Sequence, residues 1–112
     1  MNNDFTIEVF PGSSPEVRVL KLTGPFTLRD VFEFQGTVRA GVAPITLIDL
    51  TEVPYMDSAS LGSLLGFHVS CERDGRKYTL VGASDRLQTL FRVSGVQGLL
   101  HCRATLTDAA AL

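Results

Sequence analysis

The sequence predicts an α/β fold: a mostly parallel sheet of four to five strands with an antiparallel N-terminal strand and three to four helices. Three observations lead to this prediction. Two segments near the N-terminus alternate apolar and polar residues, which is the period of half-buried strands. After them, segments of helical periodicity alternate with short strand-like segments, an order that requires parallel strands joined by crossovers. One such segment, residues 45–50, is apolar almost throughout, as expected of a central strand covered by helices on both faces.

The first half of the chain supplies the antiparallel pair and one helix. The alternating segments cover residues 5–10 and 17–22, and Pro and Gly residues end both of them. A helix is predicted over about residues 28–40, because Thr27 and Asp30 have the spacing of a capping box. Its inward stripe is expected to consist of Leu28, Val31, Phe32, Gln35 and Val38.

The second half supplies the remaining elements. A helix is predicted over about residues 59–73 and a strand over residues 77–82. Ser84 should cap a third helix, which ends at Gly95 in a Schellman pattern, and residues 99–102 read as a last short strand. The inward stripe of the second helix is expected to contain Leu61, Leu64, Leu65 and His68.

Composition limits the class of protein. The 112 residues, 45% hydrophobic and 20% charged, fit a single domain over residues 1–112, with an ordered core of about 5–106 and a short C-terminal tail. A net charge of −2 argues against nucleic acid as a partner. The sequence has neither a run apolar enough to span a bilayer nor a signal peptide, so we expect a cytoplasmic protein without a membrane partner. Cys71 and Cys102 are expected as free thiols.

The loop between the central strand and the second helix is the expected functional region. It carries Asp57 and Ser58 at the carboxyl edge of the sheet, where α/β proteins usually place their sites. Ser58 at a helix start is suited either to cap the helix, which contributes about 1 kcal/mol, or to carry an anionic group. The apolar residues that lead to it are Val53, Pro54, Tyr55 and Met56. Gly62 and Gly66 make one face of the helix thin, which suits close packing against backbone or a partner.

Catalytic and metal chemistry have weaker support. A serine nucleophile needs a base within hydrogen-bond reach, but His68 lies ten residues beyond Ser58, about 15 Å along the same helix. A metal site could use His68, Cys71 and His101, but these residues are scattered along the chain. We favour the interpretation that the histidine and the two thiols are buried in the core. The sequence contains no phosphate-binding glycine loop. We therefore expect no catalytic residue, no metal and no cofactor.

Several motifs resemble the STAS domains of bacterial anti-sigma factor antagonists, over about residues 5–106. The most specific is Met56-Asp57-Ser58-x-x-Leu61-Gly62. It is supported by Asp49-Leu50 at a strand end, Gly82-Ala83-Ser84 after the next strand and Leu90-Phe91-Arg92-Val93-Ser94-Gly95-Val96 at the end of the third helix.

The resemblance implies a regulator rather than an enzyme. Ser58 would be phosphorylated by the anti-sigma factor, acting as a serine kinase, and dephosphorylated by a serine phosphatase; Ser60 is a second candidate. The unmodified protein would bind the anti-sigma factor and so free a sigma factor. The partner-binding residues would be Pro54, Tyr55, Met56, Asp57, Ser58, Ala59, Leu61 and Gly62.

Two alternatives stay open at this point. A STAS domain can also serve as a scaffold or transporter accessory subunit that is never phosphorylated, and then Ser58 would only cap its helix. The second alternative is a small metal-binding or catalytic domain that uses His68, Cys71 and His101.

Overall fold

A computed structural model of the protein describes residues 4–104. The strands are β1 (Thr6–Pro11), β2 (Val17–Thr23), β3 (Ile45–Glu52), β4 (Lys77–Val81) and β5 (Cys102–Arg103). The helices are a 3₁₀ turn (Leu28–Asp30) that leads into α1 (Val31–Ala40), then α2 (Ser58–Asp74) and α3 (Asp85–Val93).

The five strands form one sheet in the order β1-β2-β3-β4-β5. The β1–β2 pair is antiparallel and the other three pairs are parallel, which confirms the predicted class. Strand β3 is central, and its Ile48 pairs with Leu20 on one side and Leu80 on the other. All three of these side chains are fully buried, on the face of the sheet that packs against the helices. On the opposite face, Leu47 and Val81 pack with strand residues, and within residues 4–104 no helix residue joins this cluster. The prediction that helices cover both faces of the central strand is therefore wrong for the described residues.

A row of aromatic rings crosses the core beneath the helices. Phe5 stacks on Phe26 with ring centroids 4.7 Å apart. Phe34 from α1 lies 5.2 Å from Phe26 and 6.4 Å from Phe67 of α2, and Phe67 lies 5.7 Å from Tyr78 of β4. The row therefore joins both helices to the sheet.

The predicted signals at the start of the first helix and at both ends of α3 are confirmed. Asp30 accepts a hydrogen bond from the backbone N–H of Thr27, and Ser84 Oγ accepts from Leu87 N–H at the start of α3. At the end of α3, Gly95 has φ 77° and its N–H donates to Arg92, while the Val96 N–H donates to the Phe91 carbonyl. These two bonds are the Schellman pair.

The predicted burial of α1 is partly wrong. Val38 is buried as expected, but Leu28 and Phe32 are 65% and 83% exposed. Phe34 is buried instead. It lies four residues before Val38, so these two side chains share the face of α1 that packs on the core, and Phe32 lies outside that face. The α1 surface next to the start of α2 is thus more apolar than predicted.

Two other predictions need correction. Residues 99–101 are not part of a strand, because the N–H groups of Leu99 and Leu100 bond to the Val96 carbonyl in a turn, and pairing with β4 starts only at Cys102. Gly62 and Gly66 do not pack against backbone within residues 4–104: both are exposed, and a Cβ at either would meet nothing within 4 Å. Close packing against a partner stays a prediction. The predicted tail, residues 106–112, lies outside the described residues. No helix within residues 4–104 is long and apolar enough to cross a membrane.

Candidate functional site

The loop of residues 53–57 carries the chain from β3 to α2 at the carboxyl edge of the sheet. Its first turn is closed by a hydrogen bond from Val53 N–H to the Leu50 carbonyl, 3.0 Å. The Phe26 N–H donates to the Tyr55 carbonyl at 3.1 Å, and Phe26 forms a parallel bridge with Met56. Because Phe26 is fully buried, these bonds fix the loop to the core and hold the start of α2 in place.

The cap of α2 is Asp57, so the prediction that Ser58 caps this helix is wrong. Asp57 Oδ1 accepts from Ser60 N–H at 2.9 Å, and Oδ2 accepts from Leu28 N–H at 2.9 Å. One carboxylate thus serves the starts of two helices. Each N–H has its own carboxylate oxygen, an arrangement that the single hydroxyl oxygen of a serine does not offer.

These bonds also set the acidity of Asp57. Desolvation acts to raise its pKa, but hydrogen bonds from the backbone of Ser60 and Leu28 outweigh it and hold the pKa below its ordinary value of 3.8. Asp57 is therefore a fixed negative charge next to Ser58 at neutral pH.

Ser58 and Ser60 differ sharply in accessibility. Ser60 is fully buried, and its Oγ accepts from Asp57 N–H at 3.1 Å and donates to the Asp57 carbonyl at 3.0 Å. Ser58 is the first helical residue and is exposed. Within residues 4–104 its hydroxyl takes part in no side-chain hydrogen bond. Only Ser58 can reach another molecule without breaking the cap.

The predicted partner-binding residues separate into surface and core. Pro54, Tyr55, Ser58 and Gly62 are exposed, and Asp57 and Ala59 are half-buried. The side chains of Met56 and Leu61 are 7% and 5% exposed, so they support the loop from inside. Val53, expected in the apolar approach to Ser58, is also buried.

Sequence reasoning missed part of this surface. Leu28 donates its N–H to Asp57 and is exposed, and Phe32 follows one turn later on α1. On the other side of the loop, the guanidinium of Arg86 lies 5.2 Å from the centroid of the Tyr55 ring. A signal for this surface was present in the sequence. Leu28 and Phe32 are large, apolar and four residues apart, and Phe34 could take the core position in place of Phe32. We call Leu28, Phe32, Pro54, Tyr55, Ser58 and Gly62 the Ser58 surface.

The histidines and cysteines lie away from this surface. His68 is buried, with Nδ1 2.7 Å from the Tyr78 hydroxyl oxygen, so it is no base for Ser58. Burial raises the pKa of Tyr78 to about 12 and also raises the pKa of the Cys71 and Cys102 thiols, which are both free. The set of His68, Cys71 and His101, kept open as an alternative metal site, is not among the clustered ligands. In the described part of the chain, the group able to hold a metal ion is His68, Glu72 and His101.

Comparisons with known proteins place the chain in a family. The family model described as "Mlab, STAS domain" matches residues 9–101. An anti-sigma-B factor antagonist of Listeria monocytogenes is 38% identical over 66 residues, which are 59% of this chain and 56% of that protein. This chain therefore matches little more than half the length of that relative.

Solved structures share the fold. The Bacillus cell fate determinant SpoIIAA in its phosphorylated form has a TM-score of 0.70 and 20% identity, and the match covers 96% of this chain and 97% of that one. A sulfate transporter family protein from Wolinella succinogenes has a TM-score of 0.77 and 22% identity, with 90% and 91% covered. Because the family model matches residues 9–101 of this chain, and the solved structures share its α/β fold, this chain belongs to the STAS domain family.

Proposed function

We propose that this protein is an anti-sigma factor antagonist that works in the cytoplasm as a regulator and not as an enzyme. Its Ser58 surface binds an anti-sigma factor, and phosphorylation of Ser58 weakens that binding. The observation that carries the proposal is the exposed, unbonded hydroxyl of Ser58 at the first position of α2, inside a surface that contains exposed Leu28, Phe32 and Tyr55. The name of the Listeria monocytogenes relative supports the same function.

Phosphorylation at Ser58 should change affinity and leave the fold intact. A phosphoryl group adds about −1.5 to −2 charges, and the N-terminus of a helix tolerates negative charge. The first turn of α2 contains no acidic residue of its own. At the interface, the new charge lies next to the ionised Asp57, and a partner that covers the apolar side chains would have to desolvate both. The cost of desolvating these charges therefore weakens binding of the anti-sigma factor and does not destabilise the fold.

Ser58 is preferred over Ser60 as the modified residue. A kinase needs the hydroxyl in its active site, whereas Ser60 Oγ is buried and bonds to both the backbone N–H and the carbonyl of Asp57. We propose that the anti-sigma factor is itself the serine kinase and that a serine phosphatase restores the free hydroxyl. The fold likeness to phosphorylated SpoIIAA is consistent with this cycle.

The direct test is phosphorylation by the anti-sigma factor kinase encoded nearest to this protein. The protein is incubated with the kinase and ATP, and the modified residue is mapped by mass spectrometry. We expect phosphate on Ser58 in the parent and none in Ser58→Ala. Phosphate on Ser60, or none at all, contradicts the proposal.

A calorimetric titration tests the consequence. Ser58→Ala should bind the anti-sigma factor as tightly as the parent, whereas Ser58→Asp should bind at least about tenfold more weakly, a loss of 1.4 kcal/mol. Equal affinity of Ser58→Asp and the parent would exclude local charge as the switch.

A second candidate function is a STAS scaffold or transporter accessory subunit that is never phosphorylated. The fold likeness to a sulfate transporter family protein favours it. In that case the kinase assay leaves Ser58 unmodified, and the Ser58 surface binds a transporter instead of an anti-sigma factor.

A further inference from the structure

Three potential metal ligands from two separate parts of the chain meet beside the second half of α2. His68 and Glu72 are four residues apart on this helix and so share a face. His101 lies just before β5, where its carbonyl accepts a hydrogen bond from Leu80 N–H at 2.7 Å. One ligand atom from each of the three residues lies within 4.8 Å of the other two, and His101 Nε2 is 4.0 Å from Glu72 Oε1.

We propose that His68, Glu72 and His101 bind one divalent transition metal ion, with Zn²⁺ the best match. Two imidazoles and one carboxylate are an established ligand set for Zn²⁺, with water in the fourth position. Ligand atoms in such a site lie roughly 3.4 Å apart, for bonds of about 2.1 Å. The three atoms must therefore approach by roughly 1 Å. Glu72 and His101 are exposed, so rotation of their side chains supplies the movement.

The buried ligand is already held by an outer partner. The Tyr78 oxygen lies 2.7 Å from His68 Nδ1 and also accepts from the backbone N–H of His101 at 3.3 Å. The Tyr78 ring stacks on the His101 ring, with centroids 5.0 Å apart and planes 3° apart. Metal-bound histidines usually donate their second N–H to an oxygen acceptor such as a carboxylate, a backbone carbonyl or water, and the Tyr78 oxygen takes that place here. With Nδ1 facing Tyr78, Nε2 is the nitrogen of His68 left to bind the ion.

Neither cysteine belongs to this site. Cys71 is 1% exposed and is not one of the clustered residues. Cys102 follows His101 in the chain but is not one of the clustered residues either. The ligands are therefore nitrogen and oxygen only. Glu72 lies about 21 Å along α2 from Ser58, so the metal site is separate from the Ser58 surface. A bound ion joins the C-terminal half of α2 to the segment before β5.

The test is a calorimetric titration of untagged, EDTA-treated protein with Zn²⁺. We expect one ion per chain and a higher Tm with the ion bound, because the ion binds the folded state. His101→Ala, which changes an exposed residue, should abolish binding, and Glu72→Gln should weaken it. Tyr78→Phe should weaken it about 10- to 100-fold, as loss of an outer partner does at other sites. Circular dichroism verifies that each variant is folded.

Cysteine binding is the competing explanation, and Cys102→Ser is the matched control. It should bind Zn²⁺ like the parent, and the Co²⁺-loaded protein should show d–d absorption without a thiolate charge-transfer band. A thiolate band, loss of binding in Cys102→Ser, unchanged binding in His101→Ala or no binding by the parent would each overturn the proposal.

Discussion

At the residue scale, Asp57 rather than Ser58 holds the start of α2. Both residue types are good caps, and they are adjacent, so the sequence allowed the helix to start at either. The choice follows from the second oxygen of Asp57, which accepts from Leu28 N–H on a separate helix start. That bond is invisible in local sequence because it joins residues 29 positions apart. It releases Ser58 from a structural role.

A pair of alanine variants measures this difference. Asp57→Ala should lower the free energy of unfolding by about 1–2 kcal/mol, because Ser60 N–H and Leu28 N–H both lose their acceptor. Ser58→Ala should stay within about 0.5 kcal/mol of the parent, since Ser58 is exposed and unbonded. Urea denaturation of the unphosphorylated proteins gives both values. A larger loss in Ser58→Ala than in Asp57→Ala would restore Ser58 as the cap.

The depressed pKa of Asp57 predicts a pH dependence. Because this pKa is lower in the folded state than its ordinary value of 3.8, the charged carboxylate stabilises the fold above that value. The contribution is lost as the pH falls from 3.8 through the folded-state pKa. Asp57→Asn keeps a capping oxygen but does not titrate. The stability difference between parent and Asp57→Asn should therefore be greatest at neutral pH and should shrink below 3.8, as followed by denaturation at each pH.

At the element scale, α2 exposes a face that has no side chains at two positions. Gly62 and Gly66 follow Ser58 at intervals of four residues, so they lie on the same side of the helix. Glycine weakens a helix interior by about 0.5–1 kcal/mol relative to alanine. Nothing in the described residues packs against either position within 4 Å, so internal packing does not explain them. We propose that a partner that approaches the α2 backbone closely accounts for them.

This interpretation predicts opposite effects of one substitution on stability and on binding. Gly62→Ala should stabilise the protein by about 0.5–1 kcal/mol and weaken binding of the anti-sigma factor. Gly36→Ala is the matched control: Gly36 is also helical, exposed and without a neighbour within 4 Å, but it lies on α1. It should stabilise equally and leave affinity unchanged. Thermal denaturation and calorimetry give the two quantities, and equal affinities for both variants would remove Gly62 from the interface.

At the scale of the whole molecule, the aromatic row decides which phenylalanine of α1 stabilises the fold and which stays exposed. Phe34 contacts Phe26 and Phe67 within this row and is fully buried. Phe32, two residues earlier, is 83% exposed. The same residue type thus has two roles, set by the direction in which α1 faces the sheet.

Two alanine variants separate the roles. Phe34→Ala should cost about 3–5 kcal/mol, because it removes a buried ring and leaves a cavity. Phe32→Ala should change stability by no more than about 0.5 kcal/mol and should weaken the complex with the anti-sigma factor. Urea denaturation measures the first effect and calorimetry the second. Similar losses of stability in both variants would contradict the orientation of α1.

The sequence by itself determined the order of strands and helices, the parallel sheet, the ends of α3 and the position of the Asp57–Ser58 loop at the carboxyl edge. Each of these depends on periodicity or on capping residues a few positions apart, which local chemistry specifies. The tertiary structure alone decided which phenylalanine of α1 is buried, which serine of α2 is accessible, and that Glu72 rather than Cys71 joins the two histidines. Apolar periodicity allows more than one orientation of a helix. Only packing against the sheet, and contacts between residues far apart in the chain, select one.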